Sequence, residues 1–508
     1  MSLALAGVCA AASPFESPTV TTAPTPLDHL VFQRLQQLGL APANPCSDAV
    51  FVRRVYLDVT GTLPTAQQAH DFLESKDPKK RAALIERLLS REEFADYWAM
   101  KWCDLLRVKA EFPINLWPNA AQAYHRWIRA SIRENKPYDQ FVRELLTESG
   151  SNFRVPPVNF YRAMQNRDPQ GIARTVALTF MGARAEKWPK ERLDGMAAFF
   201  SHLSYKSTLE WKEEIVYFDP GKSNAATRAT FPGGATVELD GERDPREIFA
   251  DWLISPQNPW FTRNIANRVW AWLFGRGIIH EPDDIREDNP PSHPELLAFL
   301  QRELVNSRYD LRHLYRLILN SQTYQLSSVP KSKDPAAVSH FAFYPLRRLE
   351  AEVLIDALNQ ITGTTEKYSS PIPEPFTFIP ETQRAIALPD GSISSSFLEL
   401  FGKPPRDTGL ESERSARPTA AQRLHLLNSS HIQRKLEQSP TLQRLAESKG
   451  TLRDIVNTVY LTILSRYPTE EEFKAVESYS KSAGNRRRET VTDLAWALIN
   501  TAEFQYRH

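Results

Sequence analysis

The sequence predicts a mainly α, multi-helical protein of two domains, with a small antiparallel β-sheet between the domains or inserted in one of them. Three observations carry this expectation. Apolar residues recur at helical spacing along most of the chain. Helix-start signals, either a hydroxyl three residues before Glu or Gln or the pair Asp-Pro, punctuate it. The 37 prolines outnumber the 19 glycines, which reads as stiff connections between short helices. At 508 residues the chain is too long for one compact core.

The chain opens "MSLALAGVCAAASPFESPTVTTAPTPLDHL". An apolar run ending in Ala10, Ala11 and Ala12 before Ser13 has the small-residue pattern of a cleavage site, although no basic residue precedes it. A signal peptide is expected over residues 1–12 and a flexible leader rich in Pro, Ser and Thr over 13–26. Bulky Val8 makes Cys9 a poor lipoprotein cysteine. No other stretch approaches the roughly twenty apolar residues that span a bilayer.

An N-terminal helical domain is expected over 27–208. In "TAQQAHDFLES", Thr65 and Gln68 have capping-box spacing. "DPKKRAALIERLLS" puts Ala82, Leu84, Ile85, Leu88 and Leu89 on one stripe, and the next helix aligns Phe94, Trp98, Trp102, Leu105 and Leu106. Further helices are expected at 119–134, 138–147, 168–181 and 190–203, with Asp168-Pro169 placing an N-cap before proline. "EEIVYFDP" and "ATFPGGATVELDGE" alternate apolar and polar residues around Gly233-Gly234, so a small β region is expected over 209–243.

The C-terminal helical domain is expected over 244–508. Its helices fall at 244–254, opened by Asp244-Pro245, and at 259–274, 293–306, 311–321, 345–362, 418–437, 451–465, 469–482 and 489–503. Proline-rich, weakly periodic residues 364–417 form a long loop, and loops of that length are functional or disordered.

Composition narrows the partners. A net charge of +1 and a pI near 7.8 give no sign of nucleic acid or a membrane surface as the main partner. After cleavage only Cys46 and Cys103 remain, which leaves open one bridge or two buried thiols. No nucleophile elbow, phosphate loop, dinucleotide fingerprint or His-Glu-x-x-His zinc motif occurs. Most of the eleven tryptophans sit at core spacing.

"EPDDIREDNPPSHPELL", residues 281–297, holds the densest set of chemistry-bearing side chains. Ser292 and Glu295 have capping-box spacing for the helix that follows. Asp283 or Asp284 could serve as general base, His293 as its acid/base partner and Arg286 as an anion clamp. A neutral imidazole is expected for His293, because the positive end of a helix dipole disfavours imidazolium. In the preceding helix Asn264, Asn267 and Arg268 share one face, and Asn289 joins them as a ligand-binding candidate. The plainer reading is a structural turn in which Arg286 pairs with an aspartate. His425 and His431 stand six apart and do not share a helical face.

Two long stretches, "FVRRVYLDVTGTLPTAQQAHDFLESKDPKKRAALIERLLSREEFADYWAMKWCDLLRV" and "NPWFTRNIANRVWAWLFGRGIIHEPDDIREDNPPSHPELLAFLQRELVNSRYDLRHLYRLILNSQTYQLSS", resemble a pair of domains of unknown function that travel together in secreted planctomycete-type proteins. The resemblance runs from about residue 28 to the end. It implies a periplasmic or secreted helical protein associated with cytochromes, since many relatives carry a c-type haem domain ahead of the pair. Relatives also carry Cys-x-x-Cys-His near "ALTFMGA" and Cys-Glu-Cys-Glu-Arg near "GLESERS". Here the first is absent from "TFMGARAEKWPKERLDGMAAFF", and Leu410 and Ser412 replace the sulfurs of the second. No haem and no metal is therefore expected, and any chemistry must use oxygen and nitrogen groups. The expectation for function is a binding or scaffold component, its partner a polysaccharide or a periplasmic protein. The alternative is a hydrolase or lyase acting on carbohydrate at 264–293.

Overall fold

The computed structural model describes residues 13–18, 22–223, 225–415, 417–484 and 486–508. Helices dominate, and three small antiparallel sheets accompany them. The expected signal peptide at 1–12 lies outside the described residues.

Where the sequence shows an apolar stripe behind a cap, a helix forms. Thr65 and Gln68 cap Ala66–Glu74 reciprocally, and Asp168 and Asp244 accept backbone N–H groups at the starts of Pro169–Val176 and Pro245–Ile254. In Lys80–Leu89 the buried stripe holds Leu84, Ile85, Leu88 and Leu89; Ala82 is exposed, and Arg81 turns inward instead. Its guanidinium donates to the Cys46 carbonyl and to Asp48.

The centre of the molecule is Asp48–Thr60, a helix with buried residues on every face. Arg53 donates to the carbonyls of Ile463 and Phe504. Arg54 donates to those of Tyr324, Leu326 and His508. Asp58 accepts from the hydroxyls of Tyr324 and Tyr344 and pairs with Arg347 and Arg507. Paired and hydrogen-bonded in this way, buried charges are tolerated. They also tie the first helices to the last residues. The buried apolar residues form one cluster running from Leu27 to Phe504.

The structure moves several boundaries. Expected helix 345–362 begins only at Ala351, because Arg347 and Arg348 are extended and pair antiparallel with Tyr506–Arg507. Expected helix 418–437 breaks into Ala420–Asn428 and Ser430–Glu437, with Ser429 ending one and capping the next. Strand Glu214–Phe218 lies between Gly150–Ser151 and Leu203–Ser207. The Gly233-Gly234 turn joins a separate hairpin, Arg228–Thr230 with Thr236–Glu238. Gly234 supplies the positive φ, +96°, that this turn requires.

The described part of the expected leader is pinned to the body. The Ser17 N–H donates to the Pro45 carbonyl, the Phe15 ring packs edge-on against His508, and Thr22 bonds Gln325. Cys46 and Cys103 are free and buried, with no bridge between them. Burial pushes the Cys103 thiol up to about 12. Residues 364–417 have little regular structure, yet Asp390 accepts from the Ala110 N–H and Gly391 donates to the Val108 carbonyl. The long loop is strapped to the turn after helix Glu92–Leu105.

Candidate functional site

The residues singled out at 264–293 are all placed, and most hold one another. Asn267 pins the chain reversal that follows its helix: its Nδ2 donates to the Ile279 carbonyl and its Oδ1 accepts the Ile279 N–H. Asn264 donates to the Thr179 carbonyl. Arg268 reaches Asp283 at 2.5 Å, both side chains being about 1% exposed. The other Asp283 oxygen accepts the Glu411 N–H at 2.6 Å. A carboxylate so enclosed has no oxygen turned to a substrate.

The neighbouring groups diverge from it. Asp284 faces outward to Arg286 and Lys187. Arg286 also meets Asp288, so it sits in a surface ion cluster. Asn289 donates to the carbonyls of His280 and Asp284 and closes the loop. His293, rather than Ser292, caps helix Pro294–Asn306: its Nδ1 accepts the Leu296 N–H and its Nε2 faces the Leu30 carbonyl at 3.0 Å. This pattern is that of a neutral imidazole protonated on Nε2. Ser292 instead donates to the Ile278 carbonyl. The imidazole takes the cap position and also bridges to the Leu30 carbonyl in helix Pro26–Gln37.

The segments in which the resemblance places sulfur in relatives converge here. The Ile285 N–H donates to the Gly182 carbonyl from one side, while the Glu411 N–H reaches Asp283 from the other. Gly182 has φ +62°, and a Cβ on it would fall 2.7 Å from Asn264 Oδ1. Glu411 accepts from the Trp272 indole and lies 3.6 Å from Arg268. The donors between the two segments are guanidinium, carboxylate and indole, already bonded to each other. They do not fit a haem or a thiolate-bound metal.

A different surface gathers groups with free faces. Trp211 sits at the tip of the turn joining strands Leu203–Ser207 and Glu214–Phe218 and is 70% exposed. The Lys212 ammonium lies 5.4 Å from its ring centroid and 6.0 Å from that of half-buried Trp117. The Trp117 ring in turn meets Phe376 at 5.3 Å. Phe376 remains 48% exposed, and Phe112 and Phe378 in the same two loops are 80% and 70% exposed. Exposed rings in neighbouring loops make this region a candidate binding surface. The loops of Trp117 and Phe376 are held together by Asp390 and by the Lys109–Asp407 pair, so those two rings are presented on a braced frame.

One further cluster comes from the helix break at Ser429. It folds His431 back onto His425, with ring nitrogens 3.2 Å apart, and His431 also meets Glu366 at 2.9 Å. Sequence spacing alone separated these histidines; a serine able to cap was the signal that brings them together.

Comparison with known families matches two regions. Residues 26–194 match PSCyt2, a protein of unknown function (DUF1549). Residues 245–480 match PSD1, a protein of unknown function (DUF1553). No curated protein and no solved structure matches the chain. Trp117 lies in the first matched segment, Phe376 in the second and Trp211 between them. The chain thus carries one segment matching PSCyt2 followed by one matching PSD1.

Proposed function

We propose that this protein is an exported, periplasmic or secreted binding component that docks on an extracellular polysaccharide through the Trp117–Trp211–Phe376 surface. The observation that carries the reading is the set of exposed ring faces contributed by three separate loops. The C–H faces of pyranose rings stack on flat aromatic rings, and Trp and Phe supply large contact area at low entropic cost. Lys212, between two indoles, adds a cation that favours an acidic polymer. Export is supported by the apolar run with its small-residue end at 1–12. The residues at 264–293 serve as a brace between segments in this reading, because Asn264, Asn267, Arg268, Asp283, Asn289 and His293 each bond another segment or the backbone.

The test is co-sedimentation of the full chain with a panel of insoluble neutral and acidic polysaccharides. The expected result is depletion from solution by at least one polymer, weakened at least tenfold by Trp211→Ala. A panel that leaves the protein in the supernatant, or a Trp211→Ala variant that sediments like the parent, overturns it.

A further inference from the structure

The loop bearing Phe376 runs on to Arg384 and there walls a depression of a different character. A cleft of about 370 Å³ opens among the turn after helix Asp48–Thr60, the start of helix Glu92–Leu105, the end of helix Ala351–Thr362 and residues 382–384. This volume falls in the range of small-molecule sites. Fourteen residues line it, and only Leu63 is apolar. No aromatic ring lines it, so it holds no platform for a flat base.

Two arginines and two acids line the cleft, and they are unequally satisfied. Glu93 is held by Arg91 at 2.8 Å. Both oxygens of Asp356 accept backbone N–H groups, from Ala385 at 2.8 Å and Ile386 at 3.1 Å. Arg384, 38% exposed, approaches an acid no closer than 3.8 Å, at Asp356. Among the described residues its guanidinium donates no hydrogen bond. Asp356 therefore acts as a positioning residue that pins residues 385–386 and presents the fork of Arg384 to the cleft.

The neutral groups point the same way. Asn359 Oδ1 is taken by Lys435, which leaves its NH₂ free. Gln360 and Gln383 use their NH₂ groups on the carbonyls of Leu63 and Ala387, which leaves their side-chain oxygens free. The hydroxyls of Thr365 and Thr382 bond no described residue. Amide donors, amide acceptors and hydroxyls around one guanidinium that donates no hydrogen bond match a polyol carrying an anion. An ammonium ligand finds no free carboxylate.

We infer that this cleft binds an anionic sugar, carboxylated or sulfated, with Arg384 gripping the anion and Asn359, Gln360, Gln383 and Thr382 meeting ring hydroxyls. A planar guanidinium fork suits either group. The inference does not rest on the aromatic surface, whose ring faces lie outside the cleft lining.

Calorimetric titration of the full chain with digalacturonate, a sulfated galactose disaccharide and neutral cellobiose tests it. At least one anion is expected to bind ten times more tightly than cellobiose, and the stronger of the two tells carboxylate from sulfate. Arg384→Ala is expected to weaken that binding tenfold or more and exposed Thr382→Val about threefold, while Trp211→Ala leaves it within twofold. Both anions binding no better than cellobiose overturns the assignment. So does Arg384→Ala together with Thr382→Val binding like the parent. A failure of Trp211→Ala to alter polymer co-sedimentation bears on the aromatic surface alone.

Discussion

The Arg268 guanidinium and the Asp283 carboxylate meet at 2.5 Å with about 1% of either side chain in contact with solvent. This pair joins the helix Phe261–Phe274 to the loop after it, and the Glu411 N–H adds the long C-terminal loop to the same carboxylate. Breaking a buried pair from one side leaves an uncompensated charge, at a cost of about 3–5 kcal/mol. Asp283→Ala is therefore expected to lower the urea midpoint sharply. Arg268→Met combined with Asp283→Leu should recover much of the loss, because the one carboxylate then left without its arginine, Glu411, is partly exposed and keeps the Trp272 N–H.

Gly182 tests the same junction sterically. Alanine there would place a methyl against Asn264 Oδ1 and the Pro282 carbonyl and would hold φ at +62°. The expected cost is on the order of 1–3 kcal/mol from strain alone, with the overlap added. Thermal unfolding of Gly182→Ala measures it.

Two buried groups oppose each other in acid. Burial, with Arg406, Arg129 and Arg126 nearby, depresses His125 to about 3. Its stabilising contribution is present above about 6.5 and is lost as pH falls toward 3. Burial raises Asp356 to about 6, against the pull of Arg384 and two backbone N–H groups. Its contribution is present below the ordinary carboxylate value and is lost as pH rises toward 6. Between about pH 4 and 6 the two slopes partly cancel, each on the order of 1.4 kcal/mol per pH unit. Asp356→Asn should make stability climb more steeply with pH in that window, and His125→Leu should flatten or reverse it. Urea titrations at stepped pH measure both slopes.

The aromatic surface is expected to be dispensable for folding. Trp211 is 70% exposed and Phe376 48% exposed, and surface substitutions of this kind stay within about 0.5 kcal/mol. Trp211→Ala should therefore unfold within a degree or two of the parent by calorimetry.

Much of the helical frame is legible in the sequence, because amphipathic helices advertise themselves by period and cap. Lys80–Leu89 and Glu92–Leu105 carry their stripes openly. Asp48–Thr60 does not: with Arg53, Arg54 and Asp58 buried among apolar neighbours, it has no polar face to set the period. The pairing of Arg347–Arg348 with Tyr506–Arg507 is two residues long and spans more than 150 positions, so no local pattern announces it. At 264–293 the sequence showed which polar residues gather but not what they bond; the partners Thr179, Glu411 and Leu30 lie far away in the chain. Trp211 carried a usable signal. In "TLEWKEE" it is a lone ring within a polar run between two strands, the position of an exposed hairpin tip.

Affinity electrophoresis tests the central claim most directly, by running the parent chain and the double variant Trp211→Ala/Phe376→Ala through gels cast with and without a soluble acidic polysaccharide. The polymer is expected to slow the parent, and the double variant to migrate as it does in the plain gel. Equal retardation of the two proteins, or none of the parent by any polymer, would contradict it.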